Sequence, residues 1–249
     1  MRDGDKKTPP KKAIFITGVS SGIGHAVAET YLSSGHRVYG ISRRKPEDLM
    51  GREGFHFVSV DLAKHHLIPP ALDRLFSGHH PPGIAVLNAG TLGKFGDIKD
   101  TDLDLIREVM ELNTWANKPI IDYLLTRQPP VSQIVAISTG ASVSGARGWN
   151  AYSLSKAALN MLIRLYSREF PDTHFCAVAP GLVDTPMLQQ VLSLPSDGTH
   201  PTIDRLKSKR GTPDLLPPGK AAKRLIGVID RLPVEVESGS FVDVRLLGG

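Results

Sequence analysis

The sequence predicts an α/β protein: a single-domain, doubly wound (Rossmann) parallel sheet with helices on both faces. Three observations carry that expectation. Short apolar runs alternate with stretches of helical spacing along most of the chain, the pattern of strands joined by crossover helices. The first two runs flank a glycine-rich turn that opens a helix, a β-α-β unit. The chain has 249 residues, 41% of them hydrophobic, enough for one large core.

In order, residues 1–12 mix charges with Pro9 and Pro10 and are expected to form a disordered leader, leaving 13–249 as the folded domain. The apolar run 13–17 gives the first strand, 23–33 a helix and 37–41 the second strand. Further strands are expected at 55–60, 84–88, 133–138 and 174–179, with helices at 67–76, 101–125 and 151–170. A final strand covers 238–244. The segment 186–218 is rich in Pro, Gly, Ser and charge and too long for an ordinary connection. It reads as a lid or substrate loop with short helical pieces at 187–194 and 203–209.

Composition narrows the function. The net charge is +5, but Lys and Arg are scattered with few aromatics between them, so no nucleic-acid partner is expected. The lone Cys176 lies in an apolar run and reads as a small buried hydrophobe in a reducing compartment. No stretch suits a bilayer span and the polar start lacks a signal-peptide apolar region, so a cytoplasmic protein is expected. The nine histidines include the adjacent pairs His65-His66 and His79-His80, which are not spaced as metal ligands, and no metal site is expected.

Two motifs carry chemistry. In Thr17-Gly-Val-Ser-Ser-Gly-Ile-Gly24 the residues Gly18, Ser20, Ser21, Gly22, Ile23 and Gly24 stand between a strand and a helix. Glycines allow close backbone approach there, and the helix start attracts phosphate, so a nucleotide pyrophosphate is expected. Tyr152 and Lys156 stand at i and i+4 on a helix, placing an ammonium beside a phenol. A nearby cation favours the phenolate, which suits the pair to proton transfer; a half-exposed Tyr with a solvated Lys is the alternative. Upstream, Ser138 and Thr139 end a strand, where a hydroxyl can hydrogen-bond a substrate oxygen.

The turn spacing G-x-x-x-G-x-G, followed in order by Asp61, Asn88-Ala89-Gly90, Asn113, Ser138-Thr139, Tyr152-x-x-x-Lys156 and Pro180-Gly181, resembles the short-chain dehydrogenase/reductase family over almost the whole chain. Gly148-Trp149 with Tyr152 and the ending Ser238-Gly-Ser-Phe-Val-Asp-Val244 are most similar to its sepiapterin and benzil reductase branch. The resemblance implies that Asp61 and Leu62 lie at the adenine edge, that Asn88, Ala89 and Gly90 pack beside the adenine ribose, and that Pro180, Gly181, Val183 and Thr185 line the nicotinamide. It implies that Tyr152 donates a proton, that Lys156 lowers the tyrosine pKa and contacts the nicotinamide ribose, and that Asn113 supports proton resupply. The family usually has Ser thirteen residues before the Tyr, which here is Thr139, with Ser138 the competitor.

At the end of the second strand an NAD site usually carries an acid. Here Ser42 is followed by Arg43 and Arg44, which suit a 2′-phosphate. NADP(H) is therefore the expected cofactor, with solvated loop arginines the alternative. The reading is an NADPH-dependent reductase of a small-molecule carbonyl, a homodimer or homotetramer built on the helices 105–125 and 151–170. An alcohol-oxidising dehydrogenase or a catalytically silent NADPH-binding sensor are the alternatives, and substrate choice is expected to lie in 140–150 and 186–218.

Overall fold

The computed structural model describes residues 12–247, so residues 1–11 of the expected leader lie outside the described residues. Lys12 corrects the leader's boundary. Its carbonyl accepts from Arg37 N at 3.0 Å and its ammonium reaches Asp230 at 2.6 Å, so it belongs to the domain.

Seven parallel strands form the sheet: β1 (Ala13–Thr17), β2 (Arg37–Ser42), β3 (Phe55–Ser59), β4 (Ile84–Leu87), β5 (Gln133–Ile137), β6 (His174–Ala179) and β9 (Ser240–Asp243), in the order β3-β2-β1-β4-β5-β6-β9. The order reverses between β1 and β4, and in such sheets ligands bind outside the carboxyl ends of the strands at that point.

Alternate residues of each strand enter opposite cores. On one face Phe15, Tyr39 and Phe175 pack with helices α2 (Ile68–Phe76), α4 (Asn117–Leu125) and α6 (Asn150–Glu169). On the other, Ile14, Ile16 and Val178 pack with α1 (Gly22–Ser33) and α9 (Pro218–Glu235). The sequence reading names no element at 219–237. The signal was present, since Ala221, Ala222, Leu225, Val228, Ile229 and Leu232 are all buried at helical spacing behind Pro218 in the first turn.

Two expectations change. The helix expected at 101–125 is interrupted: α3 (Leu103–Met110) passes through a π-helical turn, Glu111–Trp115, before α4. Asn117 Nδ2 donates to the Asn113 carbonyl at 2.9 Å, and such side chains compete with the helix ladder for backbone groups. The segment 186–218 is a packed cap rather than a loop, with helices close to the two expected pieces at 187–194 and 203–209. It contains α7 (Pro186–Leu192) and α8 (Pro201–Lys207), and returns to β8 (Leu215–Leu216), which pairs in parallel with β7 (Leu182–Val183). Leu188, Val191, Leu192, Ile203 and Leu206 close a third core over Leu92. The short α5 (Ala141–Ser144) completes the fold. Among the described residues no helix is long and apolar enough to cross a membrane.

Candidate active site

Its neighbours shape the glycine-rich turn. Gly18 and Gly22 have φ of +77° and +62°, a conformation open to glycine. Thr17 Oγ1 accepts from the amides of Asn88 and Ala89, both at 2.9 Å, while Asn88 Nδ2 donates to the carbonyls of Thr17 and Gly18. The Asn88-Ala89-Gly90 turn is thus the strut that holds the first turn in place. A Cβ on Gly24 would stand 2.3 Å from Asn88 Nδ2. Gly24 therefore lies under the wall as a packing residue rather than on it.

A cavity of about 620 Å³ runs from this turn along the strand ends. Gly18, Ser20, Ser21, Gly22 and Ile23 form one wall. The first turn of α1 carries no acidic residue and its N-cap Ser21 makes no side-chain capping bond, so free amides and the positive helix end face the cavity. Arg43 and Arg44 line it too, exposed, and their guanidinium groups make no hydrogen bond or ion pair among the described residues. Ser42, whose Oγ donates to the Arg44 carbonyl at 2.7 Å, shapes that loop. Asp61 and Leu62 are on the cavity, and Asp61 also caps the turn after β3 by accepting from Ala63 N at 3.2 Å. Asn88, Ala89, Gly90, Pro180, Gly181, Val183 and Thr185 complete this part of the lining. Amides for a pyrophosphate, arginines for a further phosphate and a strand-end floor fit a dinucleotide.

Tyr152 and Lys156 face the same cavity from α6, beside Ser138 and Thr139 at the end of β5. Lys156 is 3% exposed, with Nζ donating to the Ile137 carbonyl at 2.7 Å and 6.0 Å from the Tyr152 ring centre. Burial pushes the phenol up to about 12 and pulls the ammonium down to about 8. The sequence expectation that the lysine favours the phenolate is thus outweighed here: the cation is committed to a backbone carbonyl, and desolvation dominates both groups. The Tyr152 hydroxyl has no partner among the described residues, which leaves it free to donate into the cavity.

Ser138 is 2% exposed and its hydroxyl donates to Asn160 Oδ1 at 2.6 Å, whereas Thr139 is half-buried and its hydroxyl accepts from Ala141 N at 3.2 Å. Asn113 is not on the cavity wall. It is fully buried, accepts from Thr91 N at 2.8 Å and donates to Thr91 O and Ser155 Oγ, both at 2.9 Å. It ties the loop after Gly90 to α6, and a Cβ on Gly90 would stand 3.0 Å from its Oδ1 and 3.6 Å from Lys156 Nζ.

Four charged lining residues escaped the sequence reading: Arg205, Lys209, Asp243 and Arg245. Asp243 and Arg245 had a legible signal, their place at the carboxyl end of the last strand. Arg205 and Lys209 fall in the segment 186–218 expected to govern substrate choice, but no local motif marks them, because packing of α8 brings them in.

The short chain dehydrogenase family profile matches residues 12–194. Over 243 residues the chain is 27% identical to benzil reductase ((S)-benzoin forming) of Bacillus subtilis, covering 93% of this chain and 97% of that protein. It is 26% identical to an NADPH-dependent pterin aldehyde reductase of Arabidopsis thaliana, covering 71% and 77%. A solved short-chain dehydrogenase/reductase of Saccharomyces cerevisiae superposes with a TM-score of 0.82 at 24% identity, covering 94% and 96%, a likeness of fold. The chain belongs to the short-chain dehydrogenase/reductase family of oxidoreductases.

Proposed function

We propose that the protein is an NADPH-dependent reductase of a small-molecule ketone or diketone, with Tyr152 as proton donor. The observation that carries the reading is the convergence of Tyr152, Lys156 and the strand-end hydroxyls on the cavity that the glycine turn opens into. The names of the benzil and pterin aldehyde reductases similar to it support carbonyl reduction. Bound NADPH supplies the hydride.

This chain's residues do the rest. Gly18, Ser20, Ser21, Gly22 and Ile23 hold a pyrophosphate through backbone amides. The unpaired Arg43 and Arg44 favour a 2′-phosphate, which supports NADP(H) over NAD(H). Thr139 orients the carbonyl oxygen, a role that Ser138 is poorly placed to share while its hydroxyl serves Asn160. Tyr152 holds its proton at neutral pH, since burial raises its pKa, and can donate it as alkoxide character develops. Lys156, whose Nζ lies 6.0 Å from the phenol ring centre, is a cation from which that proton can be restored. Asn113 acts as a positioning residue that fixes Ser155 and the Thr91 loop around the pair. The lone buried Cys176 is compatible with a reducing, cytoplasmic setting, and the family reading favours a homodimer or homotetramer.

The test is absorbance decay of NADPH and of NADH with benzil, quinones and pterin aldehydes. NADPH should be the better reductant, and Tyr152→Phe should lower kcat by about 10²–10⁴-fold while retaining NADPH affinity. Tight NADPH binding without turnover of any carbonyl would leave the sensor reading in its place.

A further inference from the structure

Charged side chains line the cavity beyond Thr139. Arg245 follows β9 and its stem crosses Gly181, where an added Cβ would stand 3.5 Å from its Cδ. Its guanidinium reaches over Gly140, the residue after Thr139, with Nη2 3.8 Å from an added Cβ. Asp243 fixes it there, accepting from Nε at 2.9 Å and from Nη2 at 2.6 Å. That fork leaves Nη1 without a hydrogen bond among the described residues.

Arg205 and Lys209 line the same cavity from α8 and the turn after it, and Asp214, off the wall, lies near both Lys209 and Arg245. Arg205 makes no side-chain hydrogen bond or ion pair among the described residues. Lys209 pairs with Asp214 at 2.7 Å, but both are well exposed, and an exposed pair of this kind is weak and readily exchanged. The wall here carries three cations against the single lining carboxylate of Asp243. Beside them lie apolar surfaces of Trp149, Leu182, Leu188 and Leu206.

These cations are poorly placed for the cofactor phosphates. The amides of the glycine turn and the Arg43–Arg44 pair lie at the β1–β2 end, and the side chain over Gly22 is Thr185, with Cγ2 3.3 Å from an added Cβ. Arg245 instead reaches over Gly140, the residue that follows Thr139 in sequence.

We propose that the substrate is an anionic ketone, a carboxylate-bearing carbonyl compound with an apolar body, whose carboxylate is held by Arg245, Arg205 and Lys209. This rests on the reductase reading above. Guanidinium groups bind carboxylates through charge-assisted forks, and the Asp243 fork pre-orients one of them. The apolar body packs on Trp149 and the leucines.

The experiment compares phenylglyoxylate with its neutral methyl ester, with NADPH, in the wild type, in Arg205→Gln/Lys209→Gln and in Arg245→Gln. The wild type should prefer the anion in kcat/KM, and added salt should erode that preference. The preference should fall by about tenfold or more in the double variant, the loss of a charge-assisted contact. The double variant alters exposed or half-buried side chains, so it remains informative if Arg245→Gln fails to fold. An ester as good as the anion in the wild type, or a preference that survives in the double variant, overturns the proposal. So does a variant that weakens NADPH binding and leaves the preference intact, which would assign the cations to the cofactor. If neither compound is reduced, the reductase reading is decided separately by the benzil, quinone and pterin aldehyde assay, and calorimetric titration of phenylglyoxylate into the NADPH-loaded protein decides the subsite. Binding that weakens about tenfold or more in the double variant sustains it, and absent or unchanged binding rejects it.

Discussion

Lys156 spends stability on function. Its ammonium is buried, with the Ile137 carbonyl as its hydrogen-bond partner, and desolvation lowers its pKa from 10.5 to about 8. The folded state therefore binds this proton less tightly than the unfolded chain does. Below pH 8 both states carry the charge and the fold bears the full cost; between about pH 8 and 10.5 the folded lysine is neutral while the unfolded one still holds its proton. Stability contributed by this group thus rises with pH across that window and is lost as pH falls through 8. Denaturant unfolding of the wild type and of Lys156→Met should show the wild type gaining on the variant above pH 8, and parallel curves would mean that Lys156 is not desolvated. At the neighbouring strand end the hydroxyls divide. Thr139→Val should lower kcat by about tenfold or more, the range for losing one oriented hydrogen bond, because Thr139 is the half-buried hydroxyl on the cavity. Ser138→Ala should act mainly on stability, through Asn160. Near-normal turnover in both variants would remove the hydroxyl from the mechanism.

At the scale of elements, the cap formed by α7 and α8 is fastened to the catalytic helix at one carboxylate. Asp97 accepts from Arg147 Nε at 2.7 Å and Nη2 at 2.5 Å, and contacts His200 Nε2 at 3.2 Å. His200 is the residue before α8, and Arg147 lies just before α6. Bonds from Arg147 and His200 pull the Asp97 carboxyl down to about 2, so it stays ionised at neutral pH. Phe95 stacks edge-on with both His200 and Trp149, and Trp149 lies 5.7 Å from the Tyr152 ring, so the clasp and the reacting phenol share one run of side chains. Asp97→Asn should raise the KM for the carbonyl substrate severalfold, leave the Kd for NADPH little changed, and hasten proteolysis at 193–200. An unaltered KM and digestion pattern would show that the cap closes without it. None of this was legible in the sequence, because Asp97, Arg147 and His200 are brought together by tertiary packing. The turn at 17–24, the Tyr152–Lys156 helix and the strand alternation were legible, since their signals are local spacings. The π-helical turn at Asn113 lay between: two asparagines near one another flag competition for backbone bonds, but its outcome depends on Thr91 and Ser155, far away in sequence.

At the scale of the whole molecule, one surface remains without a partner among the described residues. Leu154, Ala157, Met161 and Leu165 repeat every three or four residues along the outer face of α6, and Leu154, Met161 and Leu165 are each about half exposed, at 49%, 51% and 53%. Trp115, 44% exposed, stands on the π-helical turn that packs beside that helix. A soluble monomer rarely leaves so continuous an apolar row in water, whereas a two-fold pairing of α6 with its copy would cover it with the same residues from each side. A stable pair needs roughly 1,200–2,000 Å² of total buried surface, so a 20-residue helix must be joined by its neighbour α4 and the Trp115 turn. Multi-angle light scattering of the wild type should therefore give a dimer or tetramer at micromolar concentration. Met161→Glu/Leu165→Glu would place two carboxylates from each copy in the seam, and should shift the mass to the monomer with the far-UV spectrum retained. A monomeric wild type, or a double variant of unchanged mass, would show that this row is not where copies of the chain meet.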